Sequence, residues 1–388
     1  MFSIERTDKL ATLLSADDSS CELWNSLADG VPFREPAWLA TWWETFSNGQ
    51  EPYILIARDS SQQICGLLPL YRKSGASRVL CSFGNNNVCS DFVSVIAKAE
   101  HAKTIAKAMA DFLIDQVHES NNDWDVIEMD GISEDDDVMH AFAAELGKVG
   151  AIVHAQSRMH TWRFECQASW DDWLQTLSRR TRRKHHSLET RVENTDGMEL
   201  VVASNHDEVA KLIDGLIDLH QRRWNAVGEP GSYADPKMRS FIHQVANHWL
   251  DRDRLYLIAI FKDGKTIGNA LNYRGDDGCL YVYSTGYDID VAKLEPGRIL
   301  MTETLKYAHQ HHMKGVEFLR GDETYKKMLG ATPTRLLEYR IVAPRLWAKV
   351  CHAAWATQFE LKQWARRRAG RDTPEVVDIA SSSVSSRR

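Results

Sequence analysis

Hydrophobic and polar positions alternate along the chain with strand-like and helix-like periods, and a predicted hairpin follows the first helix of each half. In the first half, "PYILIARDSSQQICGLLPLYRK" has two apolar runs around a polar turn, which predicts a β-hairpin. Pro36 precedes a run with helical spacing and is a typical first residue of a helix. The predicted elements of this half are helix 38–46, strands 53–57, 63–70, 77–84 and 90–97, helix 102–117 and strand 123–132.

The second half repeats this order. Two Asp-Gly pairs, Asp263-Gly264 and Asp277-Gly278, separate three apolar runs and are strong signals for hairpin turns. A helix entered at Pro296-Gly297 follows, and then a strand that ends in "RGDETYKK". The predicted elements of this half are helix 207–224, three strands within 254–288, the helix from 296, the strand from 316, strand 334–343 and a C-terminal helix over 344–368.

The matching order predicts two copies of one α/β unit in tandem, with mixed sheets and a C-terminal helix. Gly66 and Gly268 follow the first turn of each hairpin, and Asp130-Gly131 and Arg320-Gly321 close later strands. We expect the first copy, which has no Pro-Gly turn, to be degenerate. The predicted divisions are a first domain over 1–165, a second over 166–345, an amphipathic helix over 346–372 and a disordered tail over 373–388.

Composition and charge exclude several classes of protein. The 388 residues are enough for two domains, and a net charge of −7 argues against a protein that coats nucleic acid. Seven cysteines without a CxxC pair indicate reduced thiols and no zinc site. The acidic start of the chain lacks an apolar run, and no stretch reaches 18 apolar residues. We therefore expect a cytoplasmic protein without a membrane span and without a metal.

Two segments that follow predicted strands contain candidate functional residues. In "LEPGR", Gly297 lets the backbone approach a phosphate at a helix start, and Arg298 adds a full positive charge. The alternative is an ordinary helix start with Pro and Gly easing the turn. In "RGDETYKK", Asp322 or Glu323 is a candidate general base, Tyr325 a general acid, and Lys326 a clamp on an anionic substrate. The alternative is a helix start with Asp322 as its N-cap.

Three further patterns have a structural and a functional interpretation. The basic stretch 179–191 is a solvated helix face or an RNA-binding element. Tyr281, Tyr283 and Tyr287 alternate along one strand, and Trp224 ends a helix; they pack in a core or line a substrate groove. The histidines lack the spacing of a metal site.

The strings "LYVYSTGYD", "LEPGRILMTETLKYA" and "VEFLRGDETYKK" resemble the acetyltransferase domain of the GNAT superfamily. More narrowly, the chain is similar to the branch known as cellulose or exopolysaccharide biosynthesis acetyltransferase-like proteins. That branch is related to the aminoacyltransferases that build peptidoglycan cross-bridges. In the first half, "FREPAWLATWW", "GLLPLY" and "CSDFVSV" also resemble strings of this branch, so the similarity covers roughly residues 20–345.

The resemblance implies an acyl-coenzyme A site where two parallel strands separate. The pyrophosphate would lie at the turn 293–298 with Gly297 and Arg298, and the pantetheine arm along Tyr283 and Ser284. Asp322, Tyr325 and Lys326 would lie across the cleft, and Ser90 and Asp91 would help shape the acceptor site. We further predict Glu323 for catalysis, and Arg320 and Trp224 for substrate binding. The turn has one glycine and a proline where the usual GNAT signature is Gln/Arg-x-x-Gly-x-Gly/Ala.

These observations predict an N-acyltransferase. The expected donor is acetyl-coenzyme A or another acyl-coenzyme A, and the expected acceptor is an amine on a sugar or sugar-nucleotide of polysaccharide biosynthesis. One alternative is an aminoacyl-tRNA-dependent transferase in which residues 179–191 face RNA. A second is a non-catalytic member that binds a sugar-nucleotide or a protein partner.

Overall fold

The chain forms two units of mixed α/β structure in the computed structural model. The structure describes residues 2–13, 18–75, 77–85, 88–118, 123–368, 370 and 373–377. The first unit contains residues 1–161, 320–322 and 333–388, and the second contains residues 162–319 and 323–332. The motif Arg320–Lys326 is therefore shared, with its first three residues in the first unit.

The secondary structure of the first unit comes from two separate parts of the chain, residues 1–161 and 333–388. Its sheet has the strand order β1-β2-β3-β4-β6-β13-β7, with β5 on β3 and β14 on β7. Its strands are β1 (Ser3–Thr7), β2 (Glu51–Arg58), β3 (Ile64–Lys73), β4 (Val79–Ser82), β5 (Ile96–Ala97), β6 (Val126–Ser133), β7 (Ile152–Glu165, to Thr161), β13 (Thr332–Val342, from Pro333) and β14 (Glu375–Val376). Its helices are α1 (Leu10–Leu13), α2 (Asp18–Leu27), α3 (Pro36–Phe46), α4 (Ala99–His118), α5 (Asp137–Lys148) and α12 (Leu346–Arg368).

The second unit has the strand order β7-β12-β11-β10-β9-β8. Besides the end of β7, its strands are β8 (Met198–Val202), β9 (Leu255–Lys262), β10 (Lys265–Arg274), β11 (Cys279–Tyr287) and β12 (Gly315–Arg320, to Leu319). Its helices are α6 (Trp170–Thr176), α7 (Arg179–Glu189), α8 (His206–Ala226), α9 (Pro236–Asp251), α10 (Pro296–Gln310) and α11 (Thr324–Met328).

The two units share one topology, as the sequence predicted. In each, three antiparallel strands lead into a long helix and then into a strand parallel to the third. The parallel ladders have three pairs each: Val79–Cys81 with Val126–Glu128, and Cys279–Tyr281 with Gly315–Glu317. Antiparallel pairing of β2, β3 and β4 matches that of β9, β10 and β11.

Gly66 and Gly268, at equivalent positions in the two units, have the same structural role. Each follows a β-bulge, because Cys65 and Ile267 are extra residues relative to the neighbouring strand. Each also faces the long helix of its unit: a Cβ on Gly66 would lie 2.9 Å from Ile105, and one on Gly268 would lie 3.1 Å from Leu300. Only glycine lets the helix approach the strand this closely.

Burial of apolar side chains fixes the long helix on each sheet. In the second unit, Ile299, Leu300 and Leu305 of α10 share a core with Leu280 of β11 and Val316 of β12. The first unit has an equivalent core between α4 and strands β3, β4 and β6. At the start of α10, Gly297 lies against Tyr287 at the end of β11.

The predicted strand 90–97 is wrong except for Ile96–Ala97. Cys89 and Phe92 have φ of 50° and 61°, which lie outside the extended region that a strand needs. Helices α5 and α9 and the long strand β7 were not predicted. Of the predicted tail 373–388, Glu375–Val376 form β14, and residues 378–388 lie outside the described residues. The predicted domain boundaries stay a prediction.

Candidate active site

The ladder between the parallel strands β11 and β12 ends early. It pairs Tyr281 with Glu317, whereas β11 continues to Tyr287 and β12 to Arg320. Two neighbouring parallel strands that stop pairing leave backbone groups at the edge of β11 that a ligand can bind. The resemblance to the acetyltransferase domain implied such a separation of two parallel strands, with the donor along the strand that carries Tyr283.

A β-bulge in β11 coincides with this separation. Ser284 pairs with Leu271 and Val282 pairs with Asn272, so Tyr283 is the extra residue. A bulge bends its strand and increases the local twist. The bend therefore lies where β11 leaves β12, and Tyr283 and Ser284, both predicted to bind the donor, lie at it.

The turn into α10 has a defined geometry. Glu295 is the N-cap with a left-handed backbone, φ 55° and ψ 46°, and Pro296 is the first helical residue. The Glu295 carbonyl accepts from the amides of Arg298 and Ile299 at 3.0 and 3.1 Å. Gly297 lies against Tyr287, since an added Cβ would lie 3.1 Å from that ring. The helix dipole adds positive potential at this end.

Three cations surround the Glu295 carboxylate. Arg298 and Arg191 each lie 2.7 Å from it, and Lys184 of α7 also contacts it. Burial acts to raise the pKa of Glu295, but the hydrogen bonds from Lys184 and Arg191 outweigh it and lower that pKa. Two residues of the predicted basic stretch therefore lie beside the start of α10, which their spacing in the sequence does not reveal.

Tyr325 lies on α11 next to the end of β11. Its ring packs edge-on against Phe318, with centroids 6.1 Å apart, and 39% of the residue is exposed. Burial raises the pKa of Tyr325, the Glu323 carboxylate raises it further, and the Arg223 guanidinium opposes both. Arg223 also lies over the Tyr287 ring at 5.5 Å. Tyr325 stays protonated at neutral pH, so its hydroxyl can donate a hydrogen bond.

Lys326 is buried and engaged with the protein. Its ammonium donates to the Leu319 carbonyl at 3.2 Å and pairs with Glu323 at 2.9 Å. Leu319 has φ of 54°, a strained conformation for a leucine at a strand exit. Lys326 thus stabilises this backbone; its predicted role as a substrate clamp stays a prediction.

Trp224, at the end of α8, is partly exposed. Its indole N–H donates to Nε2 of His220 at 2.9 Å. Burial lowers the pKa of His220, which favours the neutral ring that can accept this bond. The His220 ring packs edge-on against Tyr233 with centroids 4.7 Å apart. An aromatic surface of this kind can stack on a planar or sugar ligand.

Glu317 was not predicted as a site residue. It is the last residue of β12 that pairs with β11, and Arg163 donates to it at 2.7 Å. Burial raises the pKa of Glu317 to about 7, against the opposing effect of Arg163. The signal for it in the sequence is a carboxylate between the apolar residues Val316 and Phe318 of a buried strand.

In the first unit, Arg320 forms a buried ion-pair cluster. Its Nε donates to Asp91 at 2.6 Å, and its Nη1 and Nη2 donate to Asp130 at 3.1 Å and to the Ser90 carbonyl at 3.0 Å. Asp91 is fully buried. The Trp38 indole donates to the Ser90 hydroxyl at 2.7 Å. Strings separated by about two hundred residues, "CSDFVSV" and "RGD", therefore meet in one cluster.

The predicted cap of α11 is wrong. Its N-cap is Glu323, without a side-chain cap bond. The Asp322 carboxylate instead lies 3.0 Å from Nδ1 of His160 in the first unit. Asp322 and Arg320 lie with the first unit, whereas Glu323, Tyr325 and Lys326 lie with the second.

The model of the acetyltransferase (GNAT) domain matches residues 158–327. Two solved structures have a similar fold. The crystal structure of FemX is 12% identical, with 85% of this chain and 97% of that chain covered and a TM-score of 0.55. A conserved protein of unknown function from Bacteroides thetaiotaomicron is 12% identical, with 88% and 100% covered and a TM-score of 0.54. No curated protein matches the sequence.

The described residues contain no group of three or more His, Cys, Asp or Glu side chains placed to hold a metal ion. Nor does any described helix combine the length and the apolar character needed to cross a bilayer.

Proposed function

Taking the chain as an acyltransferase of the GNAT fold, we propose that it transfers an acyl group from acyl-coenzyme A to an amine on a sugar or sugar-nucleotide used in polysaccharide biosynthesis. The observation that carries the proposal is the early end of the β11–β12 ladder beside the start of α10. All seven cysteines are free thiols, which suits a reducing, cytoplasmic compartment.

The donor would lie along the open edge of β11. Its amide groups would pair with the backbone of β11 beyond Tyr281, and a β11 amide would polarise the thioester carbonyl. Its pyrophosphate would lie at the start of α10, near Arg298, Lys184 and Arg191. These three cations exceed the single charge of Glu295, so the turn keeps net positive charge for an anion.

The reaction needs a neutral amine, since a protonated one has no lone pair. The amine nitrogen bonds to the acyl carbon, the C–S bond breaks, and the amine proton passes to a carboxylate. Glu323 is a carboxylate that water can reach, since its side chain is half exposed, and its charge acts on Tyr325. The Tyr325 hydroxyl would donate a hydrogen bond to the leaving sulfur.

The acceptor would lie at the end of α8. Trp224 offers a partly exposed aromatic face for a sugar ring, and Arg223 offers a cation for a nucleotide phosphate. Both lie in the second unit with Tyr287 and Tyr325. Recognition of a charged sugar-nucleotide fits this pairing of an aromatic ring with a guanidinium better than recognition of a neutral sugar does.

Calorimetry with acetyl-coenzyme A tests the donor. We expect one site per chain, and about tenfold weaker binding for Arg298→Ala, whose exposed side chain makes the fold insensitive to the change. Arg183→Ala is the matched control, because Arg183 is an exposed arginine of the neighbouring helix α7. Absence of binding at millimolar ligand overturns the proposed donor; unchanged binding by Arg298→Ala overturns the proposed phosphate site alone.

A second candidate is transfer from aminoacyl-tRNA. The exposed residues Arg179, Arg180 and Arg183 on α7 favour it, since they form a cationic helix face available to a phosphate backbone. Salt-sensitive tRNA binding that is lost on replacing these three arginines, together with no binding of acetyl-coenzyme A, selects this candidate. Binding of a sugar-nucleotide without turnover of either donor selects a non-catalytic role.

A further inference from the structure

The C-terminal helix α12 has two apolar faces, of which one is covered. On the covered face, Ala348 and Gln363 are buried, the His154 ring of β7 lies edge-on to Trp355 with centroids 5.4 Å apart, and Arg340 lies over the Trp355 ring at 4.4 Å. These contacts hold the helix on the first unit. The other apolar face is therefore exposed on a helix that is already anchored.

The exposed face is a stripe whose large apolar side chains are grouped towards the two ends of the helix. With 100° per residue, its members fall within about a third of the helix circumference. Each of them is more than half exposed: Leu346, Trp347, Val350, Leu361 and Trp364. At 1.5 Å per residue the stripe extends for roughly 27 Å, with one tryptophan near each end. Single exposed apolar residues are ordinary, but a stripe of five on one helix indicates a surface that something covers.

The charge of the same helix is strongly positive in a chain of net charge −7. Five basic residues stand against the single acidic residue Glu360: Lys349, Lys362, Arg366, Arg367 and Arg368. The Arg368 guanidinium lies 4.0 Å from the centroid of the Trp364 ring, so charge and apolar surface meet at the end of the stripe. This combination of an apolar stripe with flanking arginines fits an anionic surface with an apolar interior.

We propose that α12 lies flat on an anionic lipid surface, with its apolar stripe among the acyl chains and its basic residues at the headgroups. A second copy of the chain suits the stripe less well, because it would bring two strongly positive helices together. Tryptophan is also enriched where a protein meets the membrane interface. The helix lies on the bilayer and does not cross it, in agreement with its charge content.

The test is flotation of the full chain with vesicles of phosphatidylcholine, alone or with about one-third anionic phosphatidylglycerol. We expect binding to the anionic vesicles and its loss at high salt. The variant Trp347→Ser/Trp364→Ser should bind about tenfold or more weakly. The variant Arg366→Glu/Arg367→Glu/Arg368→Glu should bind about hundredfold more weakly.

Two controls keep the result specific. Val227→Ser removes an exposed apolar residue of the second unit, and Arg179→Glu/Arg180→Glu/Arg183→Glu makes the same charge change on α7. Both should bind vesicles like the unaltered chain. The proposal is overturned if anionic vesicles do not bind the chain, if the controls weaken binding as much as the α12 variants, or if sedimentation shows a dimer that the tryptophan variant abolishes without vesicle binding.

Discussion

The guanidinium of Arg320 donates to the carboxylate of Asp91 at 2.6 Å, and the Arg320 backbone amide donates to the same group at 2.8 Å. Asp91 has no exposed surface, so both of its oxygens depend on this partner. The arginine of the "RGDETYK" string thus pairs with a buried carboxylate in the first unit. We therefore assign the proposed chemistry to Tyr325 and the β11 edge of the second unit.

Removing the charge of Asp91 should destabilise the protein strongly. We expect Asp91→Asn to lower the free energy of unfolding by about 3 kcal/mol or more, because a buried guanidinium loses its main partner. Asp322→Asn is the control, since its pair with His160 is exposed and should contribute less than about 1 kcal/mol. Urea unfolding of both variants measures the difference; equal losses would contradict a structural role for Asp91.

Tyr325→Phe should slow turnover and leave donor binding unchanged. The variant loses the hydroxyl proposed to stabilise the leaving sulfur, so we expect kcat to fall by about a hundredfold. Tyr307→Phe is the control, because Tyr307 stacks on Tyr256 towards the other end of α10. Steady-state kinetics with acetyl-coenzyme A and a surrogate amine give the comparison. A rise in KM with constant kcat would assign Tyr325 to binding.

Stability should depend on Glu317 between about pH 4.5 and pH 7. Burial raises the pKa of folded Glu317 to about 7, above the value of an unfolded glutamate. The folded state therefore holds the proton more tightly, and this contribution is complete below the unfolded pKa and lost as pH rises through 7. The loss is up to roughly 3 kcal/mol.

Glu317→Gln should remove this part of the pH dependence. Thermal unfolding of both proteins across that range measures it, with Glu165→Gln as the control for the exposed partner of the same arginine. If the slopes of the unaltered protein and Glu317→Gln coincide, burial does not raise the pKa of Glu317 as described.

Gly66 and Gly268, which follow the β-bulges of the two units, allow the same substitution to be compared in each unit. Alanine at either should cost about 1–3 kcal/mol, because its Cβ would crowd Ile105 in the first unit or Leu300 and Pro296 in the second. Only Gly268→Ala should also weaken binding of acetyl-coenzyme A, since Pro296 begins the helix proposed to hold the phosphate. Equal effects on binding would show that the start of α10 does not hold the donor.

Local signals predicted much of the fold. Asp263 and Gly264 both have positive φ, as the Asp-Gly hairpin signal requires, and Pro296 begins α10 as predicted. Strand β7 was missed because its polar residues, among them His154, Gln156, Arg158 and His160, leave it without the apolar run by which the other strands were recognised.

Long-range pairing explains the remaining errors. Asp91 pairs with a residue 229 positions away, and its neighbours Cys89 and Phe92 have left-handed backbones within a segment of strand-like composition. For the same reason the sequence did not reveal that Lys184 and Arg191 contact Glu295. Nor did it reveal that Asp322 pairs with His160 and does not cap α11. Periodicity and turn residues carry no information on such contacts.

Hydrogen–deuterium exchange of the chain saturated with acetyl-coenzyme A tests whether the donor lies at the open edge of β11. We expect slower exchange in the peptides covering Val282–Tyr287 and the first turn of α10, Gly297–Ile299, with little change in the equivalent strand β4 of the first unit. Saturated binding with unchanged exchange in β11 and α10, or protection of β4 instead, would contradict it.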